Sequence, residues 1–389
     1  MKIDRVETFV LKAPLGDARF YSSQAAFPER NSLLVRLTSS DGVIGWGEGG
    51  QYGPPEPVKS AIDDVLAPIL RSLPEASPTV AWDTCYGRTR DFGQKGTFVE
   101  AISALDIALW DLWGKTLGAP VSTLLGGRFR ERVKAYGTGG YYTHTDFDAS
   151  RDLPALAEAA TRYAGDGFGM LKMKVGLLPV HEDARRIRTV RETLGDDFAL
   201  LADANHAYSS STALAMGRIL EDADFLMFEE PVPPEDRAGY ARLRSRLDVA
   251  IAGGEAEFTR YGFRDLFESG CVDIAQPDLC VCGGLSELQR ITALASAHNV
   301  RVIPHVWGSG IALSAALHAC STLPLTPYAL RPVPLQNEPV IEFDRTPNPL
   351  RDNLLVEPPT LRDGYVDVPT GPGLGVEVDL DFVERYQVA

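Results

Sequence analysis

Residues 199–231, ALLADANHAYSSSTALAMGRILEDADFLMFEEP, decide the fold. ALLAD is an apolar run of strand length that ends on a carboxylate. TALAMGRILEDA, after a polar loop, spaces its apolar residues three and four apart, as an amphipathic helix does. FLMFEEP is a second apolar run, again ending on a carboxylate and stopped by proline. A strand–helix–strand unit of this length joins two parallel strands through a right-handed crossover. The unit repeats in both directions along the chain: VKAYGT (133–138), GMLKMKV (169–175), VAIAGGE (249–255), VDIAQPD (272–278) and VRVIPHV (300–306). Seven such strands, with an eighth expected near Tyr328–Pro332, are enough to close a barrel; an open doubly wound sheet is the rival arrangement.

The flanks read differently. Residues 1–130 form an α+β unit, with strands at Val6–Leu11 and Ser32–Thr38, a hairpin signal at Asp41-Gly42, and helical patterns over 56–71 and 97–115. The barrel is assigned to residues 131–336. Residues 337–389 are rich in Pro and Gly, with no helix expected before the end. GYVDVPT and GVEVDL in that segment are expected to return to the first unit, so that both chain ends build one cap. Gly45-Trp-Gly47-Glu-Gly-Gly50 formally matches a dinucleotide fingerprint, but it opens no helix and sits in no strand–helix–strand unit, so the glycines are read as bending a hairpin.

Composition narrows the function. The chain has 389 residues, of which 44% are hydrophobic and 23% charged, and its 38 basic and 53 acidic residues leave a net charge of −15. That charge opposes nucleic acid and offers no basic footprint to an anionic membrane. The amino terminus has no secretory core and no window approaches a spanning helix. Five cysteines without metal or redox spacing read as plain thiols, and a cytoplasmic location is the default.

Chemistry in a barrel gathers at the carboxyl ends of its strands. Asp203, Glu229 and Glu255 fall there at intervals of 26 residues, followed by Asp278 after 23 and His305 after 27. Each interval is one unit, so these groups share a rim. One carboxylate there is as readily a helix cap, but three on adjacent strands cannot all stay ionised without a cation. An all-oxygen set selects a hard ion, Mg²⁺ with Mn²⁺ as the alternative. Asp278 beside His305 fixes the tautomer of an acid/base imidazole. Across the mouth, alternation aims Lys172 and Lys174 at one place: Lys174 to exchange a proton with substrate, Lys172 to lower its pKa or touch a substrate carboxylate. Asn205 and His206 are candidate substrate contacts, and Glu230 is read as a loop partner. The chemistry that needs this array is removal of a hydrogen next to a carboxylate, followed by epimerisation, loss of a β-leaving group, or opening of a lactone.

Lys172-Met-Lys174, Asp203-Ala-Asn205, Glu229-Glu-Pro231, Gly254-Glu255, the Asp278 and His305 pair and GPGLGVEV at 371–378 together resemble the mandelate racemase/muconate lactonizing enzyme family of the enolase superfamily, over nearly the whole chain and on the mandelate racemase side of it. The resemblance implies an α/β fold, a modified TIM barrel of (β/α)7β type with an α+β capping domain built from both chain ends. It implies Mg²⁺ on Asp203, Glu229 and Glu255, and acid/base work by Lys174 and by His305 with Asp278. It also implies an auxiliary carboxylate, for which Glu342 is the first candidate and Glu338 or Asp344 the alternatives. Specificity is expected from cap loops at Phe20–Ser23 and Gln51–Gly53, hence Tyr21 and Tyr52, with Asp91–Gly96 a further possibility; Trp307 joins the substrate contacts. Lys95 or Arg90 is a candidate for a distal carboxylate, with solvated surface as the plainer reading. The implied substrate is an acid sugar or its lactone, turned over by a cycloisomerase or a dehydratase, or less readily by a racemase. A homo-oligomer, dimer or octamer, is expected.

Overall fold

The computed structural model describes residues 1–50 and 53–388. Eight strands make the barrel: Arg132–Gly139, Met170–Lys174, Ala199–Asp203, Phe225–Glu229, Ala250–Gly253, Ile274–Ala275, Arg301–Val302 and Val340–Asp344. The first seven pair in parallel in chain order, each crossover carrying a helix, and the eighth pairs back in parallel onto the first. This is the (β/α)7β arrangement.

One apolar residue from each strand fills the lower barrel: Tyr136, Met170, Leu201, Met227, Ala252, Ile274, Ile303 and Val340. The crossover helices turn apolar stripes onto the outer face of the strands, and the N-termini of three of them are set by polar side chains. Ser209 accepts from the Thr212 amide and Asp236 from the Gly239 amide, which satisfies first-turn donors that would otherwise be unpaired.

Two placements differ from the sequence reading. The eighth strand is Val340–Asp344, past the expected boundary at 336, and not Tyr328–Pro332. Pro327, Pro332 and Pro334 remove backbone donors from that earlier stretch, and Tyr328 and Leu330 are 79% and 94% exposed. VIEFD, in contrast, is buried at every position. Second, Tyr365–Asp367, within GYVDVPT, pairs antiparallel with the first barrel strand rather than with the cap. The short helix Pro349–Asn353 also departs from the expectation of no helix before the end, where Leu380–Tyr386 forms one.

The cap is a three-stranded antiparallel sheet, Ile3–Pro14, Glu29–Ser39 and Ile44–Gly49, with the long helix Thr97–Leu117 laid across it. The expected helix over 56–71 is continuous from Glu56–Ser60 through the wider turn Ala61–Leu66 into Ala67–Ser72, and Pro78–Thr89 is an additional helix. The chain does return to the cap at its far end: the Leu374 amide donates to Asp111 Oδ1 at 2.8 Å, and the Val388 amide to the Val10 carbonyl at 2.9 Å. Among the described residues, no helix is long and apolar enough to cross a membrane.

Candidate active site

Two residues beyond the apolar layer, on the same inward face of each strand, the barrel turns polar. Tyr136 is followed by Thr138, Met170 by Lys172, Leu201 by Asp203, Met227 by Glu229, Ile274 by Gln276, Ile303 by His305 and Val340 by Glu342. The fifth strand alone departs from this step: after Ala252 comes Gly254 at φ 118°, and the carboxylate arrives one residue later as Glu255. The site is therefore one storey of side chains standing on an apolar floor. Lys174, Asp203 and Glu229 are direct neighbours in register.

Asp203, Glu229 and Glu255 are buried, and each offers an oxygen lying within 4.8 Å of the others'. Burial first, and then Asp203, Glu342 and Glu255 against the pull of Lys172, push Glu229 up to about 8. Asp203 moves the other way, because Lys174 and Lys172 overcome its burial. A cluster whose members compete in this way fits a divalent cation, and its all-carboxylate donor set is that of a hard ion. Gln276 Nε2 donates to Glu229 Oε2 at 2.5 Å and the Asn205 amide to Asp203 Oδ1 at 2.9 Å, so both carboxylates are oriented by neighbours.

The two lysines divide their tasks. Lys172 Nζ is 2.6 Å from Glu229, 2.9 Å from Glu342 and 3.7 Å from Asp203, and is shut off from solvent. Lys174 donates to Asp203 Oδ2, sits 5.1 Å from the Tyr141 ring centroid and lines the open cavity. Burial, and Lys172 behind it, press the Lys174 ammonium toward its neutral form, but Asp203 with Glu255 and Glu229 prevails and its pKa is raised. The expected lowering by Lys172 is thus present but outweighed, since the Asp203 carboxylate is in direct contact.

Opposite, His305 Nδ1 lies 2.6 Å from Asp278 Oδ2, and its Nε2 is 3.3 Å from Glu255 and 3.8 Å from Glu342. Burial favours the neutral ring, yet Glu255, Glu342 and Asp278 raise His305 to about 10. Of the three auxiliary candidates only Glu342 reaches this storey. It lies between Lys172 and His305, accepts from Thr138 Oγ1, and is held at about 2 as Lys172 and His305 overcome its burial. Asp344 instead pairs with Arg30 and Arg351, and Glu338 lines a separate crevice with Thr326, Leu335 and Pro339.

Above the storey is a cavity of about 380 Å³, lined by Lys174, Asn205, His206, Glu255, His305 and Trp307 from the barrel and by the cap segment 22–31. Asn205 and His206 adopt φ of 42° and 64°, a turn held by the His206 amide on the Glu230 carbonyl. His206 Nε2 lies 3.0 Å from Glu230 Oε2, which makes Glu230 the loop partner expected. Tyr21 does not reach the cavity: its backbone pairs with Tyr142 and it borders a neighbouring cleft. Tyr52 and Gln51 lie outside the described residues. Lys95 pairs with Glu257 at 2.6 Å and Arg90 lies over Tyr86, both away from the cavity wall. Phe27, Tyr141 and Arg30 line it without having been singled out. Gln276 and Thr138 were within reach of sequence reasoning, since each lies two positions beyond an inward apolar residue.

Residues 6–126 match the mandelate racemase/muconate lactonizing enzyme N-terminal domain, and residues 155–382 match the enolase C-terminal domain-like family. The chain is 40% identical over 388 residues to D-galactarolactone cycloisomerase of Agrobacterium fabrum, covering 100% of this chain and 99% of that one. It is 36% identical over 355 residues to arabinonate dehydratase of Saccharolobus solfataricus, covering 91% and 90%. The crystal structure of 3,6-anhydro-D-galactonate cycloisomerase from Zobellia galactanivorans matches with a TM-score of 0.87 at 40% identity, over 100% of both chains.

Proposed function

The chain belongs to the mandelate racemase/muconate lactonizing enzyme family of the enolase superfamily, and from that premise we propose that it acts as a Mg²⁺-dependent D-galactarolactone cycloisomerase. The reading rests on one observation: Lys174 and His305 face a single cavity from opposite strands, with the carboxylate cluster at its base. Asp203, Glu229 and Glu255 would hold the ion, which when bound supplies positive charge beside the substrate carboxylate as its α-hydrogen leaves.

Lys174 and His305 are the two proton-handling groups. One takes the α-hydrogen, and the C–H electron pair becomes a carbon–carbon double bond. The bond from the β-carbon to the lactone oxygen breaks, leaving that oxygen as part of a second carboxylate. The resulting enol then becomes a 2-keto acid once a proton reaches the β-carbon. Asp278 keeps a proton on His305 Nδ1, so Nε2 is the atom that exchanges with substrate. Glu342, between Lys172 and His305, holds both cations in place.

Proton NMR of D-galactarolactone with enzyme and Mg²⁺ in D₂O tests this reading, with semicarbazide to trap the keto product. Loss of the lactone signals with a semicarbazone formed is the expected result; an unchanged lactone sinks it. The similarity to arabinonate dehydratase favours a second reading, in which the same first step expels a β-hydroxyl protonated by the opposite group. An open-chain acid sugar turned over in place of the lactone would select it.

A further inference from the structure

Gly45-Trp-Gly47-Glu-Gly-Gly50, whose glycines the sequence reading takes to bend a hairpin, has a period of two that the fold uses. A Cβ at Gly45 would come within 2.3 Å of the Ala108 carbonyl oxygen, and one at Gly47 within 2.1 Å of that of Ala104. The glycine face is pressed against helix Thr97–Leu117, so the alternate residue, Glu48, is driven toward the barrel.

Glu48 is fully buried, and its two oxygens take four donors. Oε1 accepts from Ser32 Oγ at 2.7 Å and the Ser309 amide at 2.8 Å; Oε2 accepts from Ser309 Oγ at 2.5 Å and the Ala312 amide at 3.0 Å. A cap carboxylate thus caps the barrel helix Gly310–Ser321, which follows His305 by one short loop. That loop is held at nearly every step. The Val306 amide donates to Glu342 at 3.3 Å, and Arg30 donates to the Trp307 carbonyl at 2.6 Å with its guanidinium 3.8 Å from the indole centroid. At Ser309 the hold is Glu48.

We propose that Glu48 is a positioning residue for His305, setting the imidazole from the cap through the Trp307–Ser309 backbone. The inference rests on the proposed role of His305. Only a carboxylate fits, since each oxygen receives one backbone N–H. A glutamine would turn its NH₂ against either Ser309 or Ala312.

The test compares wild type, Glu48→Gln, Ser309→Ala and His305→Asn, each with histidines labelled with carbon-13 at Cε1. The His305 signal is identified by its loss in His305→Asn. In Glu48→Gln that signal should shift while the His206 and His298 signals stay. On D-galactarolactone, kcat should fall at least about tenfold, with KM and the Mg²⁺ half-saturation within about threefold. An unmoved His305 signal, kcat within twofold of wild type, or equal loss of kcat, KM and Mg²⁺ response would each overturn the proposal. Should Glu48→Gln fail to fold, Ser309→Ala decides: it removes one of the four bonds, and an unmoved His305 signal there also overturns it. If wild type leaves the lactone untouched, the substrate reading fails while the ring signals still decide the role of Glu48.

Discussion

His318 predicts an acid-sensitive joint between barrel and cap. It lies in the buried helix Gly310–Ser321, where Nδ1 accepts from the Ser122 amide at 3.2 Å and Nε2 donates to the Leu374 carbonyl at 3.1 Å. Burial depresses its pKa; the Leu374 bond pulls back, Arg128 adds to the depression, and the result is about 4 against an ordinary 6.5. A second ring proton would also point at the Ser122 N–H. Because the folded state resists that proton, the His318 contribution to stability is intact above pH 6.5 and is lost as pH falls toward 4. At about 1.4 kcal/mol per unit, the full loss is about 3 kcal/mol, and about 2 kcal/mol of it is gone at pH 5. Asp106 and Glu100, each raised to about 7 mainly by burial, take up protons over the same range and work in the opposite sense. A difference between variants cancels them. His318→Asn keeps an acceptor for Ser122 and does not titrate. Urea unfolding followed by tryptophan fluorescence at pH 8 and pH 5 should show wild type losing about 2 kcal/mol more than the variant. Losses equal to within about 0.5 kcal/mol would refute the reasoning.

Three further outcomes are expected. Asp203→Asn or Glu229→Gln removes one of three anionic donors, and calorimetry should find Mg²⁺ binding weakened by more than about a hundredfold. Lys174→Ala should lower kcat by about a thousandfold in a steady-state assay while leaving Mg²⁺ binding nearly intact; spared turnover would mean the lysine only balances charge. Gly47→Ala forces a methyl against the Ala104 carbonyl and should cost about 3 kcal/mol, read as a lower melting temperature.

The candidate site was legible to the extent that it lies on regular strands. Asp203, Glu229, Glu255, Asp278 and His305 recur once per strand–helix unit, at intervals of 23 to 27 residues, which places them on one rim. Lys172 and Lys174 were paired by alternation alone. Reading failed where contacts join distant segments. Nothing near Arg30 or Phe27 in the chain announces that the cap folds over the barrel mouth. Sequence places Tyr21 at the cavity, but its backbone pairs with Tyr142 and the residue borders the neighbouring cleft. Glu342 leads Glu338 and Asp344 on resemblance alone, because the expected eighth strand at Tyr328–Pro332 carries none of them. Once Val340 is set opposite Lys134, alternation brings Glu342 inward beside Lys172.

The hydrogen bond from Val388 to Val10 has a bearing on biosynthesis. Strand Ile3–Pro14 finds one partner nearby in Glu29–Ser39, but its other edge waits for Gln387 and Val388, and the barrel likewise stays open until Val340–Asp344 is in place. Until then the outer edge of the cap sheet and one edge of the first barrel strand stay unpaired. Joining the two ends by a short linker and cutting elsewhere would move that wait, and pulse-labelled refolding of such a permutant would time it.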